Sequence, residues 1–168
     1  LLRYLEPREK RALQILALAG TFDSVLFDWL AERRLVAYER HCFLSTVHRG
    51  QCYFVAIDGK PNQWRFHRHM QEALLQQWRL NEQTRSEAGS YVGELLDFHA
   101  AAIGQKELKD WTDADLEHWR CGMEILVGQG LENGPLSVED FMQVWERMPW
   151  CAEHYLLNVD RTYALERA

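Results

Sequence analysis

The chain is expected to be mainly helical, in two units, with one β-hairpin inside the first. Three observations predict this. Apolar residues recur at helical spacing along most of the chain. One segment, residues 51–67, alternates like a hairpin around an Asp-Gly turn. Charge also changes sign near the midpoint: residues 1–85 carry 13 Lys and Arg against 9 Asp and Glu, a balance of +4. Residues 86–168 carry 6 against 16, a balance of −10. A break of that size predicts units at 1–85 and 86–168, which attract each other or leave the basic one facing an anion.

The first unit opens at Pro7, a residue well suited to the first helical position because its missing N–H has no partner there anyway. EKRALQILALAG then reads as a helix, apolar from Ile15 to Ala19 and so buried on most sides, with Gly20 as its stop. Thr21 and Asp23 are candidate caps for a second helix carrying Phe22, Leu26, Trp29 and Leu30 at i, i+4, i+7 and i+8. RLVAYERHCFLSTVHRG predicts a third helix ending near Gly50. Its apolar side holds Leu35, Tyr38, Cys42, Phe43 and Val47, and its basic side Arg33, Arg34, Arg40, His41 and Arg49. The hairpin follows: QCYFVAID, a turn at Asp58-Gly59, then QWRFH, with Pro61 and Asn62 implying a loop longer than two residues. Three helices and a hairpin stand in the order of a winged-helix domain. RFHRHMQEALLQQWR adds a fourth helix, with His67, Met70, Leu74 and Trp78 on one stripe.

The second unit reads as all helical. TRSEAGSYVGELLDFHAAAIG carries Tyr91, Leu95, Phe98 and Ala102 on one face. Thr112 with Asp115, and Ser137 with Asp140, outline capping boxes for the next two helices, and another helix is expected after Pro149. Paired helices with short turns fit a solenoid-like array or a small bundle. The tetratricopeptide pattern is not cleanly present.

The bulk composition, 47% hydrophobic and 26% charged over 168 residues, is that of an ordinary globular chain. No apolar run reaches the roughly 20 residues that span a bilayer, so no membrane is expected. Four cysteines without a CxxC pair point to reduced thiols and a cytoplasmic setting. Cys42, His48 and Cys52, with His67 or His69 as a fourth ligand, match the spacing of no compact zinc module, and no metal site is expected. Starting at Leu1 rather than methionine, the chain is expected to be a piece of something longer.

Several residue types invite a functional reading and meet a plainer one. His67, at a strand-to-helix junction, adds a tunable donor where a helix start already favours anions; otherwise it caps the helix beside Met70 and Leu74. His69 falls on another side of the helix and is expected in solvent. Arg33, Arg34, Arg40, Arg49 and Lys60 form a possible DNA-contacting or domain-packing face. Against DNA stand the small +4 balance, Glu39 within the face, and an attached unit of −10 that repels phosphate. Trp111, Trp119, Trp145 and Trp150 read as helix packing. Ser45 and Ser90 lack an elbow context, and Asp113, Asp115 and Glu117 read as helix-start charges.

The series EKRALQILALAGTFDSVLFDWL, FLSTV, hairpin and WRFHRHMQEALLQQW resembles the winged-helix segment of STAND-class NTPases. These include NOD-like receptors, apoptosome ATPases and bacterial maltose-type activators. In that class a Met-His-Asp or Tyr-His-His motif closes the winged helix, and its histidine approaches the β-phosphate of bound ADP in the inactive state. Phe66, His67 and Arg68 stand at that motif, with a strict match at His67 only. The resemblance covers about residues 1–85 and implies His67 and Arg68 as the nucleotide-phosphate sensor. Arg68 replaces the usual acidic residue. The chain has no GxxxxGK[ST] cradle and no acidic magnesium-binding strand, so on its own it is expected not to be an enzyme.

The expectation is therefore a regulatory fragment of a STAND-type signalling NTPase. Its winged helix closes over ADP or ATP, held with magnesium by a P-loop domain of the same parent chain. Its helical unit senses a protein partner. The alternatives are a DNA-binding winged-helix module of a transcription regulator and a non-enzymatic helical interaction scaffold.

Overall fold

The computed structural model describes residues 6–36, 53–130 and 136–146. These residues form a mainly helical structure, six α-helices with one three-stranded antiparallel sheet. The third helix expected from Arg34 to Gly50 lies largely outside the described residues, as does the helix expected after Pro149.

Helix α1 (Pro7–Ala19) begins on Glu6, whose N–H donates to the Glu9 carboxylate at 3.0 Å. Every residue from Ala12 to Ala19 except Gln14 is buried, as its apolar run dictates. Gly20, at φ 74, ends it; a side chain strains in that left-handed region and glycine does not. The chain then forms a short strand, β1 (Thr21–Asp23), before α2 (Ser24–Glu32). This corrects two expectations: Phe22 belongs to a strand rather than to the second helix, and Thr21 is a strand residue rather than a cap. Asp23 is the cap, its Oδ1 accepting the Leu26 N–H at 2.8 Å.

β2 (Phe54–Ile57) and β3 (Lys60–Phe66) form the hairpin, and the sheet order is β1-β3-β2. The turn is the two residues Asp58-Gly59, since Ile57 pairs with Lys60. Pro61 and Asn62 therefore do not lengthen the loop. They sit in a bulge on β3, between the Lys60 and Trp64 pairings, with Asn62 at φ 67. A bulge is one of the few sheet positions that tolerates a residue without an N–H. Phe22, Phe54 and Phe66 share one face and bury, with ring centroids 5.0 to 5.3 Å apart. The other face carries Thr21, Asp23, Gln63 and Arg65, paired Thr21↔Arg65 and Asp23↔Gln63.

Helix α3 (Arg68–Trp78) follows β3 through His67 alone. It lies on α1: Trp78 Nε1–H donates to the Gln14 carbonyl and Gln71 Nε2–H to the Ala17 carbonyl, each at 3.0 Å. The buried stripe is Leu74 and Trp78, with Met70 half-buried and His67 exposed at its end. Asn81 caps α4 (Glu82–Ile103), which runs straight through the charge break. Its buried face is Val92, Leu95, Leu96, Phe98, His99 and Ile103, whereas the expected Ala102 is exposed. α5 (Asp113–Gly130) starts on the Thr112–Asp115 box, with Thr112 N–H to Asp115 Oδ2 at 2.8 Å and Asp115 N–H to Thr112 Oγ1 at 3.3 Å. α6 (Val138–Glu146) starts on Ser137, whose Oγ accepts the Asp140 N–H at 3.1 Å. Gly89 lets α6 approach α4: a Cβ there would lie 3.3 Å from Asp140 Cβ.

One hydrophobic core joins all of these elements, from Leu13 and Leu16 through Phe27, Leu74 and Trp78 to Leu95, Leu126 and Val144. Ion pairs add to it across the charge break: Arg11 with Glu87 at 3.1 Å, Arg33 with Glu94 at 3.2 Å, and Lys60 with Glu117. Half-exposed pairs of this kind contribute roughly 0 to 1 kcal/mol each, so apolar burial decides the packing and the charges set its orientation.

Candidate functional site

The sequence points to the start of α3, and the fold fixes that corner through main-chain bonds. His67 N–H donates to the Tyr53 carbonyl at 2.9 Å, tying the residue to the hairpin. Its own carbonyl accepts the N–H groups of Met70 (2.9 Å) and Gln71 (3.0 Å), which begins the helix. The imidazole makes no cap bond and is exposed, as are Arg68 and His69. Beside it, Arg65, Arg68, Gln71, Glu72 and Glu124 border a cleft of about 420 Å³ between α3 and α5. Arg68 Nε–H donates to Glu72 Oε1 at 2.9 Å, and that bond holds the Glu72 carboxyl below its usual range.

The five candidate cations of the DNA-contacting or domain-packing face have different fates. Arg33 pairs with Glu94 and stacks its guanidinium on Trp29, 3.6 Å from the ring centroid. Lys60 bonds Glu117 on α5. Arg34 is exposed at φ 58, where its N–H reaches the Ala31 carbonyl and the Leu35 N–H reaches the Leu30 carbonyl. Those two bonds close α2 in the pattern that usually has glycine at this position. Arg40 and Arg49 lie outside the described residues, as do Cys42, His48, Cys52, Ser45 and Trp150. Trp119 is half-buried against the core. Among the described residues, no three His, Cys, Asp or Glu side chains are grouped to hold a metal ion, and no helix is long and apolar enough to cross a membrane.

A second cluster, which the sequence reading missed, sits where α4, α5 and the edge strand β1 meet. His99 on α4 and His118 on α5 face each other, with Nδ1 to Nδ1 at 3.1 Å, so one ring's N–H donates to the other's lone pair. His99 is only 5% exposed, and its Nε2 is buried with no hydrogen-bond partner among the described residues. Burial, then the neighbouring His118, pushes the His99 pKa down to about 3; an imidazolium is costly out of water. Three residues along α5, Cys121 Sγ lies 3.7 Å from Thr21 Oγ1 and 3.8 Å from Glu117 Oε1, and burial raises its pKa. Such a thiol is structural rather than nucleophilic.

Glu117 is not the helix-start charge expected. Bonds first from Arg120 (2.6 Å) and then from Lys60 hold its pKa down to about 2. Asp115 does begin the helix, and there Lys106 Nζ, at 2.7 Å, and Thr112 together lower its pKa to about 2. The only sequence signal for the histidine pair is the buried stripe of α4: His99 stands four residues after Leu95 on that face. Its partner on α5 is set by tertiary packing.

Between β1 and the α4–α5 pair this cluster lines a half-open cavity of about 170 Å³. Asp23, Gln63 and Thr21 form one wall, and Phe98, His99 and His118 face them. Comparison with protein-family models, with curated proteins and with solved structures found no match to this chain.

Proposed function

We propose that the chain is a regulatory part of a STAND-type signalling NTPase, with residues 1–85 as its winged helix and residues 86–168 as the helical unit that senses a protein partner. The observation that carries this reading is the placement of His67. Among the described residues, the elements before it run helix, strand, helix, then hairpin, and the hairpin's second strand lies between the other two. A winged helix orders its strands in the same way, and this supports the reading. His67 ends the sheet and begins α3, with its main chain fixed and its ring free in solvent. A phosphate held there meets the free N–H groups and dipole of the helix start, the imidazole, and Arg68.

The nucleotide itself, ADP or ATP with magnesium, belongs to a P-loop domain of the parent protein in a cytoplasmic setting. This chain supplies no phosphate cradle, only one wall of the site. Regulation then follows from a two-state element biased by ligands: nucleotide favours closure of the winged helix, and a protein partner on the helical unit favours opening. The DNA-binding alternative is weakened because Arg33 and Lys60 are already engaged by carboxylates of the acidic half.

The test is to purify the protein encoded by the complete reading frame and assay it for bound nucleotide. The expected result is a P-loop motif upstream and ADP retained through purification. A full-length protein with neither overturns the proposal.

A further inference from the structure

We propose that the cavity between β1 and the α4–α5 pair is a binding site for a small planar organic cation of guanidinium type, free or at the end of an arginine side chain. This site is separate from the His67 corner and does not rest on the nucleotide reading.

Size sets the first limit. A cavity of about 170 Å³ is close to one that takes a benzene-sized ligand, roughly 150 Å³. Charge sets the second. Of the two carboxylates that line it, Glu117 is already matched by Arg120 and Lys60. Asp23 forms no ion pair among the described residues; one oxygen caps α2 and the other remains available. The cavity therefore offers a carboxylate oxygen without a counter-ion among the described residues, which favours a cation.

The remaining groups narrow the cation further. Beside Asp23 stands Gln63, its cross-strand neighbour, whose amide makes no hydrogen bond among the described residues. Opposite is His99, with its buried nitrogen unmatched. The Asp23 carboxylate and the Gln63 amide oxygen accept, so they call for a ligand with several N–H donors. The apolar part of the lining is Phe22, Leu26, Phe98 and Ala114, and a flat, weakly hydrated cation packs against apolar surface better than an ammonium. A guanidinium group combines planarity, charge and several donors in one plane.

The experiment titrates methylguanidinium into the isotopically labelled protein and follows the ring signals of Phe98 and His118 by NMR. Saturable shifts confined to this cavity are expected. Asp23→Asn keeps a capping oxygen, because Asn caps a helix about as well as Asp, but removes the charge. It should weaken binding roughly ten- to a hundredfold, the equivalent of one charge-assisted contact. Glu82→Gln, outside the cavity, should leave binding unchanged. Acetyl-arginine-amide distinguishes the source: tighter binding than methylguanidinium supports a partner's arginine, and exclusion of the amide supports a free small cation. No saturable shift, equal affinity in Asp23→Asn, or a response of the histidine pair to zinc alone overturns the proposal.

Discussion

His67 and His99 stand at opposite extremes of the same fold. His67 is exposed at a junction built from main-chain bonds, with its ring bonded to nothing in the helix it begins. His99 is buried in the middle of a helix, its ring held by a second histidine and packed on Phe98, 5.0 Å between centroids. The first is placed by local structure and is available to a ligand. The second is placed by tertiary packing and is bound up with stability. The difference teaches that a histidine's position along its helix, cap or interior, already separates a candidate contact from a structural group.

The largest expected effect is on the buried member. The unfolded chain protonates His99 near its ordinary 6.5, whereas the folded protein protonates it only near about 3. Between those values the unfolded state binds more protons, so stability is highest above 6.5 and falls as pH falls. Asp115 and Glu117, with folded pKa values lowered to about 2, add losses of the same sign only below their ordinary values of 3.8 and 4.5. The window from pH 6.5 to 4.5 therefore isolates His99, and there the wild type should lose roughly 2 to 3 kcal/mol of unfolding free energy. Urea melts across that window should show this slope flattened in His99→Phe. An equal slope in the variant would place the titration elsewhere and break the contrast.

The next effect is smaller and concerns the helix that presents His118. Thr112 begins α5 through reciprocal bonds with Asp115. Thr112→Ala should cost about 1 kcal/mol, as cap losses usually do. In hydrogen exchange it should loosen the first turns of α5, His118 included, and leave the start of α3 unchanged. Loss of protection at both ends would mean the two regions are not independent.

These two regions were not equally legible in the sequence. The start of α3 was readable because each signal is local: an Asp-Gly turn, alternation on either side of it, and an amphipathic run directly after Phe66. The capping boxes at Thr112 and Ser137 were readable for the same reason, since partner and cap lie three residues apart. β1 was not, because three residues carry no periodicity, and Thr21–Asp23 becomes a strand only by pairing with residues 63–65. The His99–His118 contact and the Lys60–Glu117 pair were hidden in the same way, with partners 19 and 57 residues apart. Bulk charge did carry a trace of the packing. The basic and acidic halves are joined by Arg11, Arg33 and Lys60, although no sequence pattern named their partners.

Arg34 offers a finer comparison with its neighbour Arg33. Arg33 is tied to Trp29 and Glu94, while Arg34 is exposed in a left-handed conformation that glycine adopts without strain. Arg34→Gly should therefore raise stability by roughly 0.5 to 1 kcal/mol, and Arg33→Ala should lower it by a similar or smaller amount, reduced further at high salt. Thermal melts at low and high ionic strength would check both. Destabilisation by Arg34→Gly would remove the contrast between the two arginines.

The smallest expected effect on the fold comes from His67→Ala. The side chain is exposed and bonds nothing in the helix start, and the main-chain bonds to Tyr53, Met70 and Gln71 survive truncation. Unfolding free energy should change by less than about 0.5 kcal/mol, as for most surface substitutions. Under the nucleotide-sensor proposal the same change in the full-length protein removes a hydrogen bond to a charged phosphate. Such a bond contributes roughly 1.5 to 3 kcal/mol, so ADP retention should fall about ten- to a hundredfold. Arg68 stands beside it, its guanidinium already shared with Glu72. The double change His67→Ala with Arg68→Ala should therefore exceed the single one if both cations face the phosphate. Melting temperature and ADP dissociation measured on the same variants separate the two roles. Lower stability with unchanged ADP retention would make His67 a packing residue after all and erase its contrast with His99.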